Sequence, residues 1–261
     1  MKLVVFSDCD GTLLDHHTYR VDEAREGLAI LRRKQIPLIL VSSKTCDEMS
    51  ELAAELGLDG PYIFENGGGI RWPRMEKTEY LSPSVEELRA GALLLEEAFG
   101  TRIRFIVDMT PEEIVALTGL SMERARMARM RRTSLPFLLK GGERLSNEYI
   151  EKLNKQLAEA GYRVIPGARF YHFLSANVGK GKAVKALIER FRHENGEVLS
   201  AAIGDSENDF SMLDAVDYPF LVRRPDGSAA RPAGGRIRVT EGIGPAGFTE
   251  AIAVILKEIG C

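Results

Sequence analysis

Three cysteines in 261 residues, Cys9, Cys46 and Cys261, are too few, too scattered and odd in number for a disulfide framework, and no pair is spaced for zinc. The four histidines, 16, 17, 172 and 193, also lack metal-ligand spacing. Neither sign of charge dominates: 35 Lys and Arg stand against 38 Asp and Glu, a net charge of −3. That balance argues against nucleic acid or an anionic membrane as partner. No apolar run approaches the ~18 residues of a membrane span. The opening "MKLVVFSD" is interrupted by Asp8 before it reaches signal-peptide length. Repeats and low-complexity tracts are missing as well. The expectation left is a soluble, cytoplasmic monomer or homodimer, with no membrane and no nucleic acid among its partners.

Strand and helix signals alternate through the first third. "LVVF" (3–6), "PLILV" (37–41) and "YIF" (62–64) read as short buried strands of a parallel sheet. Between them, "DEAREGLAILRRK" (22–34) is expected to start on Asp22 as N-cap. "TCDEMSELAAELG" (45–57) carries Thr45 and Glu48 at capping-box spacing and ends on Gly57. The last third repeats the rhythm with "KAVKALIERFRH" (182–193), "VLSAAI" (198–203), "PFLV" (219–222), "IRVT" (237–240) and a closing helix (246–260). The middle has longer helices and short β pieces. The reading is an α/β protein: a doubly wound, Rossmann-like parallel-sheet core formed by 1–83 and 168–261, with an α+β cap domain inserted at 84–167.

The stretch "SDCDGTLLD" (7–15) carries the chemistry. The ends of strands in a doubly wound sheet point at the ligand crevice. Strand alternation is expected to turn Asp8 and Asp10 the same way, with Gly11 allowing the turn that follows. Two acids in one small space need a cation or a proton between them.

"DCDGT" resembles the nucleophile motif of the haloacid dehalogenase-like phosphatases. Three further pieces match in order: "LVSSK" with Ser42 ending the second strand, "GKGKA" with Lys180, and "IGDSENDFSML" with Asp205 and Asp209. The resemblance implies that Asp8 takes the phosphoryl group and that Asp10 protonates the leaving alkoxide and then activates water. Crowding of the two acids is expected to suit Asp10 to that work. It implies Ser42 and Lys180 on the transferring group, and Mg²⁺ held by Asp8, the Asp10 carbonyl and Asp205, with Asp209 orienting Lys180 or a metal-bound water.

"SSKT", "ENGGGI", "RRTSLPF" and "FYHFLSANVGKGKA" are similar to the mannosyl-3-phosphoglycerate phosphatases, a branch with a large inserted cap. Hydrolysis of that small phosphorylated substrate to mannosylglycerate is what the resemblance implies. Substrate contacts are expected from Ser43, Lys44, Asn66, Gly67, Gly68, Ser134 and His172. Leu135 departs from the branch's usual acid, which bears on sugar recognition. A substrate with both a phosphate and a carboxylate calls for a cationic clamp on the cap, and Arg132 or Lys140 is expected to supply it. The run "ERARMARMRR" (123–132) otherwise reads as a solvated helix face.

Overall fold

The computed structural model describes residues 2–139, 143–167, 169–231 and 235–260. Strand β1 (Lys2–Ser7) is buried from Leu3 onward. Leu3 and Val5 join an apolar cluster on one face of the sheet, Val4 and Phe6 a second cluster on the other. Both faces are therefore covered, as in a sheet layered by helices. Removing the Phe6 ring would cost about 3–5 kcal/mol.

The helix expected to start at Asp22 begins later: residues 22–24 form a 3₁₀ turn and α1 is Arg25–Arg33. Asp22 is drawn off by ion pairs with Arg20 and Arg25. Strand β2 (Leu38–Leu40) follows, then α2 (Cys46–Glu55), with the Thr45–Glu48 capping box formed. Strand β3 (Tyr62–Phe64) departs from the expected pattern. It touches the parallel sheet through a single bridge, Val41 to Ile63, and pairs antiparallel with β4 (Gly69–Trp72), itself paired with β5 (Lys77–Tyr80). Positive φ at Glu65 and Asn66 turns the chain back on itself there.

The middle holds α3 (Val85–Phe99), α4 (Pro111–Thr118), α5 (Met122–Arg129), β6 (Leu135–Phe137), α6 (Asn147–Ala158) and β7 (Tyr162–Pro166). Strand β8 (Tyr171–Ser175) runs between β6 and β7, antiparallel to both. The expected boundary after 167 therefore falls inside this sheet. Pairing makes its two faces distinct. Leu135, Phe173 and Val164 lie in register and belong to the buried cluster with α3 and α6. Pro136, His172 and Ile165 share the opposite face, as do Leu174 and Arg163.

Past β8 come α7 (Lys180–Asn195), β9 (Val198–Gly204), α8 (Phe210–Leu213), β10 (Tyr218–Arg223), β11 (Arg238–Ile243) and α9 (Gly244–Glu258). The main sheet has the order β11-β10-β9-β1-β2, all parallel. The chain leaves β1 toward β2 and later returns on its other side as β9. The C-terminal ends of these three strands frame the crevice where such sheets bind ligands. Among the described residues no helix is long and apolar enough to cross a membrane.

Candidate active site

Strand β1 ends at Ser7, and Asp8 is tied to β9 by its N–H donating to the Ile203 carbonyl at 2.9 Å. The Cys9 carbonyl accepts from the N–H groups of Leu13 (3.0 Å) and Leu14 (2.8 Å), closing a turn with Gly11 at φ 83°. Asp10 thus stands in a turn, and strand alternation does not align it with Asp8. Its Oδ2 pairs with Lys44 Nζ at 2.7 Å, while Oδ1 is buried without a partner. The cation beside Asp10 is a lysine.

Lys180 opens α7, almost wholly buried, and its Nζ donates to Asp8 Oδ1 at 2.6 Å and Asp209 Oδ1 at 2.7 Å. Asp209 Oδ2 accepts from the N–H groups of Asp205 and Ser206 and from the Ser206 hydroxyl, each at 3.2 Å. Asp209 therefore fixes both the lysine and the loop after β9. Asp205 rests against Gly11, where any side chain would meet its carboxylate.

Asp8, Asp205 and Asp209 bring carboxylate oxygens within 4.8 Å of one another. Burial pushes the Asp8 carboxyl up, against the pull of Lys180, and Asp209 and Asp205 push it further. Burial and Asp209 lift Asp205 to about 7. Burial disfavours the Lys180 charge, but Asp209 and Asp8 outweigh it and hold the ammonium protonated. Three acids against one lysine leave carboxylate oxygens that only protons or a further cation can satisfy. An all-oxygen donor set of that kind fits a hard divalent cation.

The other expected residues divide. Ser42 is buried two residues past β2, its hydroxyl accepting from the Lys44 N–H at 3.2 Å. Lys44 is committed to Asp10; burial opposes its charge, but Asp10 and Glu48 raise its pKa. Asn66 donates its N–H to the Ser42 carbonyl at 2.9 Å, and both ends of its buried amide lack partners. Gly67 packs on the Gly179 backbone and Gly68 on Thr133. Ser134 is buried, its hydroxyl donating to Glu65 at 2.7 Å. His172 is buried near Arg131 and Lys180; burial first, then those two charges, lower it to about 3, and its Nδ1 is unpartnered. It is a neutral imidazole. Leu135 lies in the buried cluster on the far face of its sheet, so its leucine is a packing residue.

Of the two residues expected to form a clamp, only Arg132 is among those described. Arg132 is about half exposed and faces Asp47 at 3.9 Å. Lys140 lies outside the described residues. The neighbouring Arg131, its side chain only 7% exposed, points inward, donating to the Ser43 carbonyl at 2.5 Å. Arg163 shares the His172 face, is depressed in pKa by burial, and donates to the Val178 carbonyl at 2.6 Å. Neither arginine was singled out by its surroundings in the sequence. For Arg163 the clue is the alternation of the cap strands, visible only once their pairing is known; Arg131 lies between α5 and β6, beyond its reach.

Residues 5–94 and 127–227 match the haloacid dehalogenase-like hydrolase family. A glucosyl-3-phosphoglycerate/mannosyl-3-phosphoglycerate phosphatase of Methanococcoides burtonii is 37% identical, with 97% of this chain and 96% of the relative covered. One of Persephonella marina bearing the same name is 34% identical, with 99% and 100% covered. Among solved structures, a phosphatase from Bacteroides thetaiotaomicron superposes with TM-score 0.69 at 18% identity, covering 100% and 96%. The sucrose-phosphatase of Synechocystis gives 0.63 at 19%, covering 97% and 98%. These two likenesses concern the fold.

Proposed function

We propose, since the chain belongs to the haloacid dehalogenase-like hydrolase family, that it is a metal-dependent phosphomonoesterase acting on glycosyl-3-phosphoglycerates. The observation that carries the catalytic part is the fixing of Asp8 Oδ1 by a buried lysine at the crevice, which leaves Oδ2 to attack phosphorus. The P–O bond to the glycerate oxygen breaks, and that oxygen takes a proton from Asp10. Asp10 then removes a proton from water, which attacks the aspartyl-phosphate and frees orthophosphate and Asp8. Ser42 and Lys180 meet the phosphoryl oxygens as charge shifts onto them. Asp8, the Asp10 carbonyl and Asp205 would hold Mg²⁺, with Asp209 behind them on Lys180. When bound, the ion neutralises phosphate charge and orients the phosphoryl group.

The named substrate class draws its support from the two relatives and from the chemistry of the crevice roof. Arg131 suits a carboxylate, whereas the Asn66 amide, the Thr133 hydroxyl and the neutral His172, each with an unpartnered atom, suit sugar hydroxyls. The domain assignment belongs to the same proposal: a core from 1–83 and from α7 onward, with a cap that runs through β8. A phosphate-release panel tests the reading, using mannosyl- and glucosyl-3-phosphoglycerate, hexose phosphates and p-nitrophenyl phosphate. The glycosyl-phosphoglycerates should be preferred, EDTA should stop release, and Asp8→Asn should lower it by several orders of magnitude. A preferred hexose phosphate would remove the substrate assignment, and an active Asp8→Asn variant the mechanism.

A further inference from the structure

Glu65 is fully buried, yet it belongs to a loop and lies outside the catalytic cluster. Its carboxylate accepts three hydrogen bonds, all from the cap and from residues 67 to 69 positions away: the N–H of Arg132 at 2.9 Å, the N–H of Thr133 at 3.0 Å and the Ser134 hydroxyl at 2.7 Å. The Glu65 backbone is held at φ 48°, a conformation that costs a non-glycine residue energy unless its surroundings impose it. What imposes it is the segment that follows β2. Glu65 N–H donates to the Lys44 carbonyl and Asn66 N–H to the Ser42 carbonyl, each at 2.9 Å. Two residues on, Gly68 leaves room for Thr133 to approach the backbone, and a Cβ there would collide with the Thr133 hydroxyl. One short loop is therefore bonded on one side to the residues around Ser42 and on the other to the cap segment that follows Arg131.

We infer that Glu65 is a positioning residue that sets where the cap's reading groups, Arg131 and Thr133, stand over the crevice. Substrate choice passes through it although it touches no substrate. The inference rests on the proposed two-ended substrate, whose non-phosphate end meets the cap. A small aryl phosphate makes no such contact, so its hydrolysis reports the core alone.

The test uses the full chain with Glu65→Gln, which offers one acceptor where two backbone N–H groups need two, and Glu65→Asp, which keeps a carboxylate. In Glu65→Gln, kcat/KM for mannosyl-3-phosphoglycerate should fall roughly ten- to a hundredfold, the weight of a lost charged hydrogen bond. Hydrolysis of p-nitrophenyl phosphate should stay within about twofold, and Glu65→Asp should recover part of the discrimination. Hydrogen exchange should speed up at the Arg132 and Thr133 amides and stay unchanged in β9. Equal losses on both substrates would make Glu65 a merely structural residue and overturn the inference, as would unchanged exchange at both amides. Where Glu65→Gln does not fold, Glu65→Asp carries the same comparison with a smaller change in ratio. A wild-type chain inactive on mannosyl-3-phosphoglycerate would sink the substrate reading instead, and the exchange measurement would still decide Glu65.

Discussion

A single neutral ring at the crevice gives the residue scale its clearest pH signature. His172 titrates near 3 in the fold because burial, Arg131 and Lys180 all oppose its charge, against an ordinary value near 6.5. Below that value the unfolded chain takes up a proton that the folded chain refuses, so stability falls as pH drops from about 6.5 toward 3. His172→Asn removes the titration, and denaturant melts at pH 7 and 4.5 should lose less stability between them than wild type does. An identical loss would place the acid sensitivity elsewhere. That Asp8, Lys180, Asp205 and Asp209 come together was legible in the order of the motifs that resemble the family, not in any one of them. The partner of Asp10 was not, because the turn at Gly11 removes it from the strand whose alternation would have aimed it. Glu65 gave no signal at all. Its partners are distant in sequence, and a carboxylate beside three glycines reads as a solvated loop.

At the scale of elements, α2 and the cap meet as opposite charges. Asp47, Glu48, Glu51 and Glu55 of α2 face Arg132, Arg131 and Arg124, at 3.5 to 4.0 Å, and the Thr45 hydroxyl donates to the Met127 carbonyl at 3.1 Å. The half-exposed pairs are worth little each. Arg131 differs because its guanidinium is withdrawn from water and its nearest acid is 4.0 Å away. Arg131→Ala should lower kcat/KM for mannosyl-3-phosphoglycerate roughly ten- to a hundredfold, while Arg132→Ala changes it by no more than about threefold. Steady-state kinetics on both variants decide this, and the reverse order would return the clamp to Arg132. Adjacent arginines after a short helix could not be told apart by period, since the helical pattern ends before them. Helix starts were readable where a side chain serves the first turn, as at Thr45. They failed at Asp22, which had arginines on both sides to bind instead. The three-residue strand at Tyr62 was visible, but its change of sheet depends on left-handed backbone at Glu65 and Asn66, which composition does not announce.

For the whole molecule, the acid cluster ties stability to pH. Asp205, lifted to about 7 by burial and Asp209, holds a proton in the fold that the unfolded chain releases near 4. Without metal, stability therefore falls as pH rises between those values. A dication bound there replaces the proton, so Mg²⁺ should raise the melting temperature more at pH 8 than at pH 5.5. Thermal melts with Mg²⁺ and with EDTA measure this, and an equal gain at both pH values would remove Asp205 from the metal site. The doubly wound core was readable from alternating apolar runs, while the cap's end was not, because β8 reads like the approach to Lys180 that it also is. The position of β1 bears on how the chain is made. This strand precedes both its partners in the chain and has β2 beside it within about forty residues, yet its other neighbour begins at Val198. Asp8 at its end waits as long for Lys180 and Asp205. Pairings so distant are slow and come late, so the intervening cap, whose own sheet is complete by Ser175, has time to fold first. The cluster around Asp8 can then assemble only once the chain has passed the cap's completed sheet.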